Sequence, residues 1–354
     1  MTPHRILVVR LSAIGDVVMA SGVIPVLRRA YPQAYIAWLA ESGPAQLLQA
    51  NPRLDEVIIW PRGEWQRVRR EQGLRAWMRQ VRAFRKLLRE RHFDLVLDAQ
   101  GLLKSGVWAW STHAKERIGL GSREGSQWLM TRVLSRDCSD ERRISSEYYG
   151  LMQQLGLDPG AFALDLAVTA DDTAAVARLL AGRGVTTPYA VIAPFTTRAQ
   201  KHWFEECWTD LAPRLRARFG FDVVMLGGSD DRGAAARIEA QAGGSIVNLV
   251  GATTLRQSVA VIQKTALLIG VDTGLTHMGT ATQRPTVALF GSTRPYLDPA
   301  VPTTRIIYDA MECSPCHRHP TCGGAFTCMR LITVERVLET ARAALEAGVR
   351  TERD

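Results

Sequence analysis

The chain has 354 residues, 46% of them apolar, which is long for one core and points to two domains. No run of about 18 apolar residues occurs, which excludes a membrane-spanning helix. The formal charge is +9, much of it between Arg62 and Arg91. With no recognition helix and no aromatic-basic ribonucleoprotein signature, nucleic acid is set aside as its partner. An anionic membrane surface or a phosphorylated substrate suits it better, against the bland alternative of a solvated helix face.

Met1-Thr-Pro-His-Arg5 leads straight into an apolar run without a signal-peptide cleavage site, so a cytoplasmic protein is expected. Ile6–Val9 reads as a buried strand, followed by Arg10-Leu-Ser-Ala-Ile-Gly-Asp16 and a helix over Val18–Ala30. Asp16 stands at the helix start. It either caps the helix or projects from the carboxyl edge of the sheet, where a carboxylate takes a proton from a hydroxyl. Strands follow at Tyr35–Leu39 and Val57–Trp60, with a helix near Pro44–Gln49 between them. Leu74, Trp77, Met78, Val81, Phe84, Leu87 and Leu88 recur at helical spacing among Arg and Lys, giving one buried and one basic face. Phe93–Asp98 is a strand that runs into Ala99-Gln-Gly-Leu-Leu-Lys-Ser105, which brings Asp98, Gln100 and Lys104 to the same edge as Asp16. Arg117–Gly121 reads as a short strand with a helix after Gly125, and Ser146–Leu155 as a helix.

The alternation restarts after a helix over Asp171–Ala181. Tyr189–Ala193 is a strand, and the loop Pro194–Trp203 behind it offers Thr196, Thr197 and Lys201 to a diphosphate. Phe221–Leu226 ends in Gly227-Gly-Ser-Asp-Asp231, where the acids either meet a ribose or give way to helix capping by Ser229 or Asp230. Ile246–Val250 is another strand, followed by a helix over Leu255–Gln263. Then comes Ala266–Ile269, a buried strand that breaks at Gly270 into Asp272-Thr-Gly274 and a helix over Leu275–Thr282. Free amides and the positive end of a helix dipole meet there and suit a phosphate; Asp272 and His277 flank the spot. Thr286–Phe290 is the last strand read, and Thr333–Ala347 a terminal amphipathic helix. The layout is a doubled Rossmann-like α/β chain without a Walker-A sequence, and without a Gly-x-Gly-x-x-Gly after its first strand. It carries no Asp-x-Asp pair, so no catalytic metal is required by it.

Cys138 and Cys207 stand alone, whereas Cys313, Cys316, Cys322 and Cys328 crowd the C-terminal region, with His317 and His319 nearby. Two readings stay open: a structural zinc or iron on four thiolates, or reduced thiols in a long loop.

Four motifs in order, Arg10–Asp16, Asp98–Ser105, Thr196–Trp203 and Asp272–His277, resemble those of the lipopolysaccharide heptosyltransferases of glycosyltransferase family 9, over nearly the whole chain. The second is most similar to that of heptosyltransferase I, the branch that adds the first heptose to the Kdo of the inner core. The resemblance implies the GT-B fold: two Rossmann-like domains facing across a cleft, here 1–170 and 185–330, with a terminal helix, 331–354, packing back on the first. It implies Asp16 as the general base. Thr196, Thr197 and Lys201 would hold the donor diphosphate, Asp272, Thr273, Gly274 and His277 would bind ADP-heptose, and Asp231 is the candidate on the nucleoside side. Arg62, Gln100 and Lys104 are then acceptor-binding candidates, in line with a basic stretch from Arg62 that meets acceptor phosphates. It further implies an inverting transfer without a cofactor, a lipopolysaccharide inner-core precursor as partner, and a peripheral location on the cytoplasmic face of the inner membrane. The cysteine cluster and the segment Glu141–Tyr149 depart from the first-heptose members. Another acceptor or nucleotide sugar on the same scaffold, and a non-catalytic anion-binding protein, are the competing readings.

Overall fold

The computed structural model describes residues 2–136, 143–186, 188–316 and 319–351. Cys138, Glu141 and His317 lie outside the described residues. The chain divides into two compact units, Met1–Glu141 with Ser145–Ala167, and Arg142–Ile144 with Val168–Asp354.

The first unit is built on six parallel strands, β1 (Arg5–Val9), β2 (Tyr35–Glu41), β3 (Glu56–Trp60), β4 (Leu95–Asp98), β5 (Glu116–Leu120) and β6 (Arg132–Leu134). Their order is β3-β2-β1-β4-β5-β6. Strand side chains alternate between faces, and here both faces are covered. Ile6 and Val8 enter one core with Val17, Ile24 and Leu97, while Leu7 and Val9 enter another with Leu39, Phe84 and Trp108. That is why β1 reads as an unbroken apolar run rather than an alternating one. The aromatic residues of the basic helix Gly73–Arg89 serve packing: Phe84 meets Trp108 edge to face at 5.0 Å.

The second unit repeats the plan with β7 (Tyr189–Ala193), β8 (Asp222–Met225), β9 (Val247–Asn248), β10 (Leu267–Val271), β11 (Thr286–Phe290) and β12 (Thr304–Tyr308), all parallel, in the order β12-β11-β10-β7-β8-β9. Counted from its own first strand, this is the order of the first sheet. In each sheet the chain leaves the central pair, β1 and β4 or β7 and β10, toward opposite flanks. The gap at the carboxyl ends of that pair is where open α/β sheets bind ligands.

Several sequence expectations shift on folding. The helix over Val18–Ala30 is two, Ile14–Ala20 and Val23–Ala30, broken at Gly22, where a Cβ would sit 2.6 Å from the Phe162 ring. The helix after Gly125 is one 3-10 turn, Ser126–Leu129. Edge strands β6 and β12 were not read at all. The terminal helix Val334–Thr351 buries Val337, Leu338, Ala341 and Ala344 in the second unit's core with Ile307 and Leu289. Among the described residues no helix is long and apolar enough to cross a membrane.

Because that helix supplies core side chains, Leu338→Ala is expected to destabilise the second unit by about 2–5 kcal/mol, the usual range for emptying a buried leucine site. Urea unfolding followed by the fluorescence of Trp203 and Trp208, both buried in the same core, would register it as a lower midpoint.

Candidate functional site

At the first sheet's central gap, β1 delivers Arg10 and β4 delivers Asp98. Arg10 is buried, and its guanidinium is held between Ala99 O (3.2 Å) and Asp16 Oδ2 (2.7 Å). Asp16 sits in the first turn of Ile14–Ala20, and Oδ2 also accepts the Ala13 amide at 3.0 Å. Asp16 therefore caps its helix through Oδ2, while Oδ1 takes neither contact and the side chain is 39% exposed. Arg10 fixes the carboxylate by a charge-assisted hydrogen bond. The sequence had shown Arg10 only as part of a motif; a charged residue directly after a buried strand was the signal.

Asp98 has a different job. It is buried, accepts from the amides of Gln100 and Gly101 and from Ser105 Oγ, each at 3.0 Å, and so ties the turn after β4 to the helix Leu103–Ser111. Burial pushes its carboxyl above the usual range, and those hydrogen bonds and the Arg10 charge work against that rise. Gln100 spends its side-chain carbonyl on the Leu11 amide at 2.8 Å, which locks the first loop to the second. Of the three acceptor-binding candidates, the structure joins two. Lys104 Nζ reaches Glu41 Oε1 (3.1 Å) and Ser12 Oγ (3.0 Å), and Arg62 lies 3.5 Å from the same Glu41 oxygen. Gln100 is not part of that group. Glu41, at the end of β2, was missed because nothing in its local sequence sets it apart.

At the second sheet's central gap, the loop after β7 and the turn after β10 converge. Lys201 Nζ meets Asp272 Oδ2 at 2.5 Å, although the two are 71 positions apart. The same oxygen accepts from Thr293 Oγ1 at 2.6 Å, and His277 Nε2 lies 3.3 Å from Oδ1. The other ring nitrogen of His277 is 3.1 Å from the Tyr296 hydroxyl. Asp272 is thus the counter-ion of Lys201 rather than a free ligand group. Burial alone would raise its carboxyl, but the hydrogen bond and charge of His277 and the Lys201 ammonium outweigh burial and hold it well below the usual carboxylate range. Thr293 and Tyr296 were not singled out; only the fold brings them to Asp272 and His277.

Thr273 is the N-cap of the helix Gly274–Ala281 and makes no side-chain cap bond, so the helix start presents its amides and dipole beside the Lys201 ammonium. Gly270 is needed at the end of β10, because a Cβ there would meet Thr276 Oγ1 at 2.2 Å. Thr196 binds His202 Nε2 through its carbonyl (2.8 Å), and the Thr197 side chain is exposed. Asp231 accepts the Gly228 amide at 2.8 Å and closes its own turn. Trp203 is a packing residue, its indole donating to Ile332 O at 2.9 Å.

The four clustered cysteines are free; Cys313, Cys316 and Cys322 are half-buried and Cys328 is buried. Among the described residues no three His, Cys, Asp or Glu side chains are arranged to hold a metal ion, so the structural zinc or iron is not supported. Cys328 belongs to the apolar core beside Met329. Burial raises the Cys316 and Cys328 thiols above their ordinary value, which favours the protonated form.

Asp272→Asn is expected to cost about 2–3 kcal/mol at neutral pH, since it removes a hydrogen-bonded charge from beside Lys201. The Asp272 carboxyl is depressed in the folded state, so its contribution is complete above about pH 5 and fades only as the pH falls through the depressed folded value. Urea unfolding of both proteins should give a constant difference from pH 6 to 8 that narrows on acidification below about pH 4.

A model of glycosyltransferase family 9 (heptosyltransferase) matches residues 81–324. The chain is 27% identical to lipopolysaccharide heptosyltransferase 1 of Salmonella typhimurium over 296 residues, 83% of this chain and 90% of that one. It is 27% identical to lipopolysaccharide heptosyltransferase 2 of the same organism, over 98% of this chain and all of that one. Among solved structures, the family 9 glycosyl transferase of Veillonella parvula superposes with a TM-score of 0.80 at 22% identity, covering 97% of both chains. The E. coli heptosyltransferase WaaC with ADP-2-deoxy-2-fluoro heptose superposes at 0.70 and 24%, covering 95% of this chain and 98% of that one. The two Rossmann-like units are those of the GT-B fold, and the chain belongs to glycosyltransferase family 9, a family of heptosyltransferase enzymes.

Proposed function

We propose that the enzyme transfers L-glycero-D-manno-heptose from ADP-heptose to a Kdo-lipid A-type acceptor of the lipopolysaccharide inner core, with inversion at the anomeric carbon. One observation carries the reading. The central gap of each sheet holds one half of the required chemistry: a part-exposed carboxylate anchored through one oxygen in the first, an ammonium beside a helix start in the second. The relatives named above and the WaaC structure with an ADP-heptose analogue support the donor class.

In the reaction, the acceptor hydroxyl attacks the anomeric carbon as its proton passes to Asp16 Oδ1. The new C–O bond forms while the bond to the diphosphate oxygen breaks, through a transition state of oxocarbenium character. The leaving ADP gathers negative charge. Lys201 and the amides at the start of Gly274–Ala281 answer it; Asp272 keeps the lysine in position beforehand. Thr196, Thr197, Thr273 and Gly274 line the diphosphate side and Asp231 the nucleoside side, while Arg62 and Lys104, gathered on Glu41, serve acceptor phosphates. The enzyme works from the cytoplasmic face of the inner membrane, where its lipid-anchored acceptor is exposed. A later heptose as acceptor is the second reading, favoured by the full-length match to a type 2 relative.

Asp16→Asn should lower kcat about 10²–10⁴-fold, the usual contribution of a general base, while the affinity for ADP-heptose holds. Transfer assayed with Kdo-lipid A, alongside donor binding by calorimetry, checks both parts; near-normal turnover would refute the base assignment. Lys201→Ala should weaken donor binding and slow transfer together, and the same pair of assays would strike Lys201 from the site if neither moved.

A further inference from the structure

Among the described residues, one face of the helix Leu103–Ser111 is left partly exposed. Leu103, Val107 and Trp110, spaced i, i+4, i+7, are 46%, 37% and 41% exposed. The 3-10 turn Ser126–Leu129 presses on the same helix at Gly106, where a Cβ would come within 2.8 Å of Ser126 Cβ. That turn holds out Trp128, which is 85% exposed. Four large apolar side chains on two adjoining elements form a patch of the kind that marks an interaction surface.

The rim of this patch is cationic. The Arg85 guanidinium lies 5.0 Å over the Trp110 ring. Arg82 and Arg89 share that face of Gly73–Arg89, at i−3 and i+4 from Arg85, and both are exposed. From Arg62 to Arg91 the chain carries eleven Lys and Arg against three Glu, a net +8 of the whole molecule's +9. Exposed tryptophans beside arginines suit one surface above others: indoles settle at the headgroup level of a bilayer while guanidinium groups pair with anionic headgroups.

We propose that Leu103, Val107, Trp110 and Trp128, rimmed by Arg82 and Arg89, form the surface by which this enzyme docks on an anionic lipid bilayer. The charge complementarity is what selects a membrane over a second copy of the chain, since a copy would bring the same arginines to face their like. The helix Leu103–Ser111 then has two duties. Its first turn aims Lys104 at Ser12 and Glu41, near Asp16, while its outer face meets lipid. Resting on the proposed function, this would deliver a lipid-anchored acceptor to Asp16.

Flotation of the full chain with phosphatidylcholine vesicles, and with vesicles of equal parts phosphatidylcholine and phosphatidylglycerol, tests the surface. The expected result is binding to the anionic vesicles alone, weakening as salt is added. Trp110→Ser with Trp128→Ser should reduce that binding about tenfold or more, and Arg82→Glu with Arg89→Glu should abolish it. The tryptophan variant should keep its unfolding midpoint and its transfer to a delipidated acceptor. Undiminished flotation of both variants would overturn the proposal. So would a concentration-dependent dimer in sedimentation that the tryptophan changes dissolve. Flotation is read without donor, so a failure of ADP-heptose transfer alone would strike the functional reading and leave the docking surface standing.

Discussion

A parallel strand has to leave its sheet at the carboxyl end. Where two neighbouring strands send their chains to opposite flanks, the backbone parts and a gap opens. This constraint acts twice in the molecule, between β1 and β4 and between β7 and β10. Each gap collects the polar ends of two loops that are far apart in sequence. Buried apolar runs on both faces of the sheet then hold those loop ends still. Rigid strands such as Ile6–Val9 and Leu267–Val271 are therefore part of the site, although none of their side chains does chemistry.

A charge gathered at such an edge is half out of water and needs a partner. The two units solve this differently. In the first, Arg10 is the buried partner and Asp16 the outer group, so the carboxylate stays accessible. In the second the pair is Lys201 and a half-buried Asp272, with the buried His277 on the other carboxylate oxygen. In the proposed reaction, the base that would meet a hydroxyl and the cation that would meet a diphosphate thus each stand in front of a fixed counter-charge. Orientation is settled before the substrate arrives, which lowers the cost of reorganising during reaction.

Much of this was legible in the sequence. Continuous apolar runs marked β1, β4, β7 and β10 and the loops behind them, because doubly buried parallel strands leave that signature. The edge strands β6 and β12 left none. β6 is three residues with Arg132 and Val133 exposed, and β12 carries Arg305 in its middle. β9 was read as five residues but pairs over two, since an edge strand has a neighbour on one side only. At the sites, residue identity was readable but partnership was not. Lys201 and Asp272, or Lys104 and Glu41, meet only after the sheets close long stretches of chain. Asp272, read alone from the sequence, pairs with Lys201, while the side chains of Gln100 and Asp231 accept the backbone amides of Leu11 and Gly228.

The same contrast bears on why acceptor identity is harder to read than donor class. The second-unit network is enclosed, with the His277 and Asp272 side chains 5% and 13% exposed. Changing any member leaves a buried charge or hydrogen bond unmatched, so folding and donor handling constrain these positions together. The first-unit groups suited to an acceptor, Arg62, Lys104 and Glu41, are more open, and ion pairs there contribute little to stability. Such positions are free to vary with the acceptor at almost no structural cost. The type 1 and type 2 relatives of Salmonella typhimurium stand at the same 27% identity to this chain, so identity summed over the whole chain does not separate the two acceptor readings.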